Sequence, residues 1–138
     1  MSTTTVNSTL NPIDGVYLQA AHANPEIIAQ YQIIRRDGSV VAFAPNKITL
    51  AMMKTFLAVE GSHASESARI RETVQALTDL VLDALIRRRP GGGAIHIEDI
   101  QDQVELALMR SGEHDVARAY VLYREKRAQE RAQLAAKY

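Results

Sequence analysis

The stretch that decides the fold is QIIRRDGSVVAFAPNKI, residues 32–48. Residues 32–34 are β-prone, and residues 40–43 can form a return strand. Between them, the pair Asp37-Gly38 is a strong hairpin signal, because glycine adopts a positive φ without steric cost. The stretch therefore predicts a β-hairpin.

The end of the same stretch predicts a helix start surrounded by cations. Pro45 ends the return strand, and Asn46 is suited to cap a helix that opens at Lys47. Arg35 and Arg36 follow the first strand directly. Three cations close to the free backbone amides of a helix N-terminus suit the binding of a phosphate.

Four helices are predicted after the hairpin, because apolar residues recur there at helical spacing. The predicted helices span about residues 46–59, 65–88, 98–110 and 113 onward. The residues expected to face the core are Ile48, Met52, Phe56 and Val59 in the first helix; Ile70, Val74, Leu77, Val81 and Leu85 in the second; Ile100, Val104, Ala107 and Leu108 in the third; and Val116, Tyr120 and Tyr123 in the fourth.

These elements together predict an α+β fold. Residues 94–97 are a short strand candidate that can join the hairpin, giving a small antiparallel, three-stranded sheet covered by about four α-helices. Residues 1–30 are rich in Ser, Thr and Asn and predict a flexible leader, although a short helix around residues 25–30 is also compatible with the sequence. Residues 128–138 predict a charged helical extension.

Composition limits the possible functions. The 138 residues carry 16 Lys and Arg against 16 Asp and Glu, so bulk charge does not favour nucleic-acid binding. The absence of cysteine excludes disulfides, zinc-thiolate sites and cysteine nucleophiles. No signal peptide is recognisable, and no apolar run approaches the roughly 20 residues that a membrane helix needs. The expected compartment is the cytoplasm.

No catalytic site is recognisable. Residues 90–93 read Pro-Gly-Gly-Gly, but no Gly-Lys-Ser/Thr follows, so they predict a turn and not a phosphate-binding P-loop. The four histidines lack metal-ligand spacing, and we expect no metal site of side chains. Arg87, Arg88 and Arg89 either bind phosphate or, as we favour, stabilise the negative end of a helix dipole.

Three ordered motifs resemble the ATP-cone, a family of small nucleotide-sensing domains. They are the hairpin motif of residues 34–48, Ile-Gln-Asp-Gln-Val-Glu at 100–105, and Ala-Arg-Ala-Tyr-Val-Leu-Tyr-Arg at 117–124. The resemblance covers about residues 31–127 and is closest to the N-terminal cone of a class I ribonucleotide reductase large subunit. Arg35-Arg36 replaces the Lys-Arg usual in the family, and Ile97 stands where many members have Thr or Ser.

The resemblance implies a site for ATP or dATP, with Mg²⁺ between the phosphates. The implied phosphate contacts are Arg35, Arg36, Lys47 and Arg127, with Lys54, Arg118 and Arg124 as further cations. The implied adenine contacts are Ile34, Phe43 and Ile48, with the backbone near Val40 and Val41. The contacts implied on the ribose side are Gln101 and Glu105, and those implied for the second nucleotide, in cones that hold two, are Tyr120 and Tyr123.

The resemblance also implies an allosteric domain that is not itself catalytic. ATP would favour an active assembly and dATP an inhibited oligomer, because each nucleotide stabilises the state that binds it better. The implied partners are the remainder of a reductase catalytic subunit and further copies of it, although a cone on the radical-generating subunit stays open. Two different functions also stay open: an oligomerisation domain with a degenerate nucleotide site, and a nucleic-acid-binding module using residues 87–89 and the C-terminal helix.

Overall fold

The computed structural model describes residues 22–137. The described residues divide into two compact units: unit 1 runs up to Ala44 and includes Asp79–Ile100, and unit 2 comprises Pro45–Thr78 and the described residues from Gln101 onward. In chain order, the described elements are α1 (Pro25–Ile28), β1 (Tyr31–Ile34), β2 (Val40–Ala42), α2 (Pro45–Glu60), a 3₁₀ helix (Ser62–Glu66), α3 (Ala68–Arg88), β3 (Gly93–His96), α4 (Ile97–Arg110) and α5 (His114–Lys137).

A three-stranded sheet with β1 at its centre lies in unit 1. β1 pairs antiparallel with β2, with Ile34 opposite Val40, and parallel with β3, with Tyr31 opposite Gly93. The expected α+β fold is confirmed, but the sheet is mixed and not wholly antiparallel. The reason is the connection: helices intervene between β1 and β3, and such a long crossover is what parallel pairing requires.

The hairpin turn is one residue longer than a two-residue Asp-Gly turn. The Arg35 N–H donates to the Ser39 carbonyl (2.8 Å), and the Gly38 N–H donates to the Arg35 carbonyl (2.9 Å). Gly38 has a φ of +88°. Arg36 and Asp37 therefore form the turn itself, and Gly38 takes the left-handed position that follows it. The Asp37 carboxylate accepts from the Ser39 N–H (2.9 Å) and the Ser39 hydroxyl (2.6 Å).

The core of unit 1 is formed where β1 buries alternate residues. Tyr31 and Ile33 are buried and Gln32 is exposed, as expected for a strand with one face inward. The Tyr31 hydroxyl donates to the Arg89 carbonyl (2.5 Å), which ties β1 to the end of α3. The other buried hydrophobic side chains of this unit are Phe43, Val81, Leu82, Leu85, Ile95 and Ile100.

The loop of residues 90–93 requires glycine at one position above all. Gly92 has a φ of +96°, and a Cβ placed on it would lie 2.6 Å from the Gln30 carbonyl oxygen. The next residue, Gly93, donates its N–H to that same oxygen (2.9 Å). The close approach sets the starting point of β3 beside β1, so this loop is a fixed part of the sheet's register.

Unit 2 is held by helical stripes of buried residues. In α2 the stripe is Ile48, Met52 and Phe56, whereas Val59 is 39% exposed, so its predicted core position is wrong. α2 begins at Pro45 and not after Asn46, because proline fits the first helical position, where no N–H is needed. The remaining buried hydrophobic residues of this unit are Ala64, Ile70, Val74, Leu77, Val104, Leu108, Val116, Ala117 and Tyr120.

Serine, histidine and glycine residues lie at the ends of three of the described helices. The Ser67 hydroxyl accepts from the Ile70 N–H (3.3 Å) at the start of α3, as expected of a cap. Gly61 and Gly112, with φ of +99° and +86°, follow α2 and α4. At the start of α4, His96 Nδ1 accepts from the Glu98 N–H (3.2 Å), which serves an otherwise unpaired donor.

Residues 1–21 of the expected flexible leader lie outside the described residues. Residues 22–30 are described, and Asn24 caps the short helix α1 by accepting from the Glu26 N–H (2.9 Å). His22 Nδ1 lies 2.7 Å from Asp83 Oδ1 on α3, and its Nε2 lies 3.7 Å from Asp79 Oδ2. These contacts attach the segment before the sheet to α3 within unit 1.

We expect Gly92→Ala to destabilise the chain more than Gly91→Ala. Both glycines have a positive φ, so alanine at either position carries a left-handed backbone cost of about 1–2 kcal/mol. Only at Gly92 does the added Cβ also meet backbone, whereas at Gly91 nothing lies within 4 Å. Urea unfolding of the two variants measures the difference, and equal losses would contradict the close approach to Gln30.

We expect the pKa of Asp37 to lie below its ordinary value, because the Ser39 hydroxyl and backbone N–H donate to its carboxylate. A lowered folded-state pKa means that this stabilisation is complete above the unfolded value of about 3.9 and is lost as the pH falls through the folded value. A carboxyl-carbon NMR titration measures it. In Ser39→Ala the pKa should rise towards the ordinary value; an unchanged pKa would contradict this account.

Candidate nucleotide-binding site

Unit 2 contains a cavity of about 480 Å³ between α2 and α5. This volume is within the range of small-molecule sites in proteins. Residues from both helices line it: Lys47, Leu50, Ala51, Lys54, Thr55 and Ala58 from α2, and Ala119, Tyr120 and Tyr123 from α5.

Helical spacing explains why α2 presents this face. Lys47, Ala51, Lys54 and Ala58 recur every three or four residues and therefore lie on one side of the helix. The buried stripe that begins at Ile48 lies on the neighbouring side. The alanines are short, so they leave space where larger side chains would fill the groove.

The facing wall comes from one turn of α5. Tyr120 is 6% exposed and belongs to the core, whereas Tyr123 is 60% exposed at the opening. Both were expected to face the core, and this is wrong for Tyr123. Because the helix advances about 100° per residue, the two tyrosines lie on one side of α5, and both line the cavity.

The two cations at the cavity are free to meet an anion within unit 2. Lys47 and Lys54 are exposed, and neither makes an ion pair with a described residue of that unit. Among the described residues, the lining holds no carboxylate, histidine or cysteine, and its ionisable side chains are lysine and tyrosine. Apolar and aromatic walls beside two ammonium groups suit reversible binding of an aromatic anion.

The hairpin cations belong to unit 1. Arg35 and Arg36 are both exposed on the turn. Arg36 Nε lies 3.7 Å from Glu98 Oε2, a long ion pair between side chains that water reaches. Such a pair by itself contributes little to stability.

The apolar residues expected beside an adenine differ in exposure. Val40 and Val41 are exposed on strand β2, and Ile34 is half-buried. Phe43 and Ile48 are 9% and 6% exposed, which makes them core residues of unit 1 and unit 2 respectively.

Gln101 and Glu105 meet Arg124 in a cluster of their own in unit 2. Arg124 Nε donates to Gln101 Oε1 (3.1 Å), and Arg124 Nη1 donates to Glu105 Oε1 (2.6 Å) and Asp102 Oδ1 (3.0 Å). Burial alone lowers the pKa of Arg124, but the hydrogen bonds to the two carboxylates outweigh it and raise that pKa above its ordinary value. Asp102 was missed from the sequence, although its place beside Gln101 and three residues before Glu105 puts it near the same face.

The remaining expected cations lie elsewhere on α5. Arg118 lines a separate apolar groove of about 370 Å³ together with Met109, His114, Ala117, Val121 and Leu122. Arg127 Nη1 lies 3.6 Å from Glu130 Oε1 on the exposed side of the helix. Of the expected site residues, the structure therefore brings Lys47, Lys54, Tyr120 and Tyr123 to one cavity, and Gln101, Glu105 and Arg124 to one cluster.

Comparison with known proteins gives the family. The family model described as "ATP cone domain" matches residues 31–129 of this chain, which is well over half of its length. The chain belongs to the ATP-cone family. This membership supports a regulatory role based on nucleotide binding.

Named relatives of this ATP-cone are reductases. It is 40% identical over 100 residues to the ribonucleoside-diphosphate reductase subunit alpha of Chlamydia trachomatis, covering 72% of this chain and 10% of that protein. It is 39% identical over 102 residues to the vitamin B12-dependent ribonucleoside-diphosphate reductase of Thermoplasma acidophilum, covering 70% and 12% respectively. The matched part thus spans about a tenth of the length of these relatives.

Two further observations concern residues 22–137. None of the helices in this range has the length and apolar character to cross a bilayer. No group of three or more His, Asp or Glu side chains in it is arranged to hold a metal ion.

We expect Lys47→Gln/Lys54→Gln to fold as stably as the parent chain. Neither ammonium has an ion-pair partner among the described residues of unit 2, and exposed substitutions of this kind change stability by about 0.5 kcal/mol or less. By contrast, Phe56→Ala, at a fully buried position of the same helix, should cost about 3–5 kcal/mol. Thermal unfolding compares them, and a large loss in the lysine variant would give these lysines a structural role.

Proposed function

We propose that this chain is the nucleotide-sensing domain of a ribonucleoside-diphosphate reductase and that it binds ATP and dATP as allosteric effectors. Membership of the ATP-cone family and the names of the relatives support this proposal. The observation that carries it is the cavity of unit 2, where apolar and aromatic walls adjoin Lys47 and Lys54.

The chemistry of the cavity matches the two ends of a nucleotide. A purine packs well on aromatic and apolar surfaces, which Tyr120, Tyr123 and the alanines provide. The triphosphate needs cations, and lysine is a mobile point charge that adapts to phosphate oxygens. The lining has no carboxylate, so an accompanying Mg²⁺ would be held by phosphate oxygens and water, as this ion commonly is.

Arg35 and Arg36 form a separate part of the proposal. The resemblance to other cones implies that they contact phosphate, and arginine provides the bidentate geometry that phosphate oxygens accept. Their exposure on the turn leaves both side chains accessible to an anion.

Regulation then follows from differential affinity. We propose that ATP and dATP each stabilise the assembly to which they bind more tightly, and that the assemblies differ in the number of catalytic subunits that they contain. The two ligands differ only in the ribose 2′-hydroxyl, so the discrimination must arise at the ribose. The proposed partners are the rest of a reductase catalytic subunit and further copies of it, and the proposed compartment is the cytoplasm.

Calorimetric titration of the 138-residue chain with ATP and then dATP, both with Mg²⁺, tests the proposal. We expect saturable binding of both nucleotides. Lys47→Gln/Lys54→Gln should weaken it at least about tenfold, because each lost hydrogen bond to a charged group is worth about 1.5–3 kcal/mol. Arg35→Ala/Arg36→Ala tests the hairpin cations in the same way.

Arg110→Gln/Lys137→Gln is the matched control. It also removes two positive charges, from exposed positions of α4 and α5 away from the cavity lining, and should leave affinity unchanged. Equal losses in the lysine variant and in this control would show that only net charge matters. Absence of heat and of thermal stabilisation at millimolar nucleotide would refute the sensor and favour an oligomerisation domain with a degenerate nucleotide site.

A further inference from the structure

Arg124 joins two helices of unit 2 through three acceptors. Gln101, Asp102 and Glu105 all come from α4, and the guanidinium comes from α5. The Arg124 side chain is 19% exposed and that of Glu105 is 23% exposed, so both groups are partly withdrawn from water. Ion pairs in such surroundings are screened less than surface pairs and hold a more defined geometry. We refer to these four residues as the Arg124 clasp.

In the sequence of α5, Arg124 directly follows Tyr123, the last residue that lines the cavity. Tyr120 and Tyr123 line the cavity, whereas Arg124 is not among the lining residues. After Tyr120, no described residue of α5 is buried, and beyond Arg124 only Arg131 is even half-buried. The apolar anchoring of α5 therefore ends at Tyr120, and the clasp is the next strong contact along the helix.

We infer that Arg124 is a positioning residue: the clasp holds α5 at the rotation that keeps Tyr123 on the cavity. This inference rests on the proposed binding of nucleotide at that cavity. The fork of the guanidinium explains why arginine is suited to the role, because Nε and Nη1 address different acceptors at once and thereby restrict rotation. A lysine at this position would satisfy one carboxylate without restricting rotation to the same degree.

A positioning role for Arg124 and direct phosphate binding by Arg124 predict opposite changes in nucleotide affinity when Glu105 is removed. If Arg124 contacted the phosphates, its carboxylate partners would compete with the ligand, and removing Glu105 would strengthen nucleotide binding. If the clasp positions the cavity wall, removing Glu105 weakens binding, because α5 loses a restraint. The charge exchange Arg124→Glu/Glu105→Arg separates the two cases further when it is combined with Asp102→Asn, which prevents repulsion between the new carboxylate and Asp102. It restores the pair without restoring an arginine at position 124.

The experiment titrates the 138-residue chain with ATP and Mg²⁺ in four forms: the parent, Glu105→Ala, Arg124→Glu and the exchange Arg124→Glu/Glu105→Arg/Asp102→Asn. We expect both single variants to bind about tenfold more weakly, and the exchange to return to within about threefold of the parent, as coupled pairs do in double-mutant cycles. Arg131→Gln removes a positive charge from the same helix and should leave affinity unchanged.

A second measurement does not depend on ligand. In the nucleotide-free chain, amide hydrogen exchange of residues 119–124 should be faster in both single variants and return to the parent rate in the exchange variant. If Arg124→Glu fails to fold, Arg124→Lys takes its place, with a smaller expected loss.

The results distinguish the failure of each proposal. No binding by the parent chain refutes nucleotide binding and with it the positioning role. Binding by the parent chain with undiminished affinity in Glu105→Ala refutes the clasp alone. Failure of the exchange variant to recover affinity, with its exchange rates restored, would assign Arg124 to the ligand instead.

Discussion

The candidate site depends on a constraint in helix α2, which must bury one face and keep the next one open. Ile48, Met52 and Phe56 form the buried stripe, and Lys47, Ala51 and Lys54 lie about 130° away around the helix, at about 100° per residue. Burial of the first set places the second at the edge of the core. A cavity can therefore form against α5 without removing the residues of the buried stripe from the core.

A chain of zero formal net charge can still bind an anion when its cations differ in their surroundings. Arg124 is engaged by two carboxylates and an amide, whereas Lys47 and Lys54 have no ion-pair partner among the described residues of unit 2. Binding of a phosphate to Arg124 would cost free energy because the guanidinium would have to leave its partners. The corresponding cost is small for an exposed ammonium without such partners. The proposed phosphate contacts in the cavity are therefore cations without an ion-pair partner in unit 2, and the total number of cations matters less.

Much of the fold was predictable because it rests on local signals. The apolar period of α3 identified Ile70, Val74, Leu77, Val81 and Leu85, all of which are buried. The errors occurred where a local signal was ambiguous. Val59 continues the period of α2 but lies in its last turn, where the helix no longer faces the core. The parallel pairing of β3 has no local signature, because it depends on a crossover that includes several helices.

The sequence by itself determined the family, the α+β class and the elements, because these follow from ordered motifs, periodicity and turn chemistry within short stretches. It also named most of the polar residues that line the cavity or form the Arg124 clasp. Only the tertiary structure decided which of them meet: Lys47 with Tyr123 across a cavity, and Arg124 with Glu105 and the unanticipated Asp102. The physical reason is that a contact between helices depends on the rotation of each helix, and that rotation is set by packing over the whole unit.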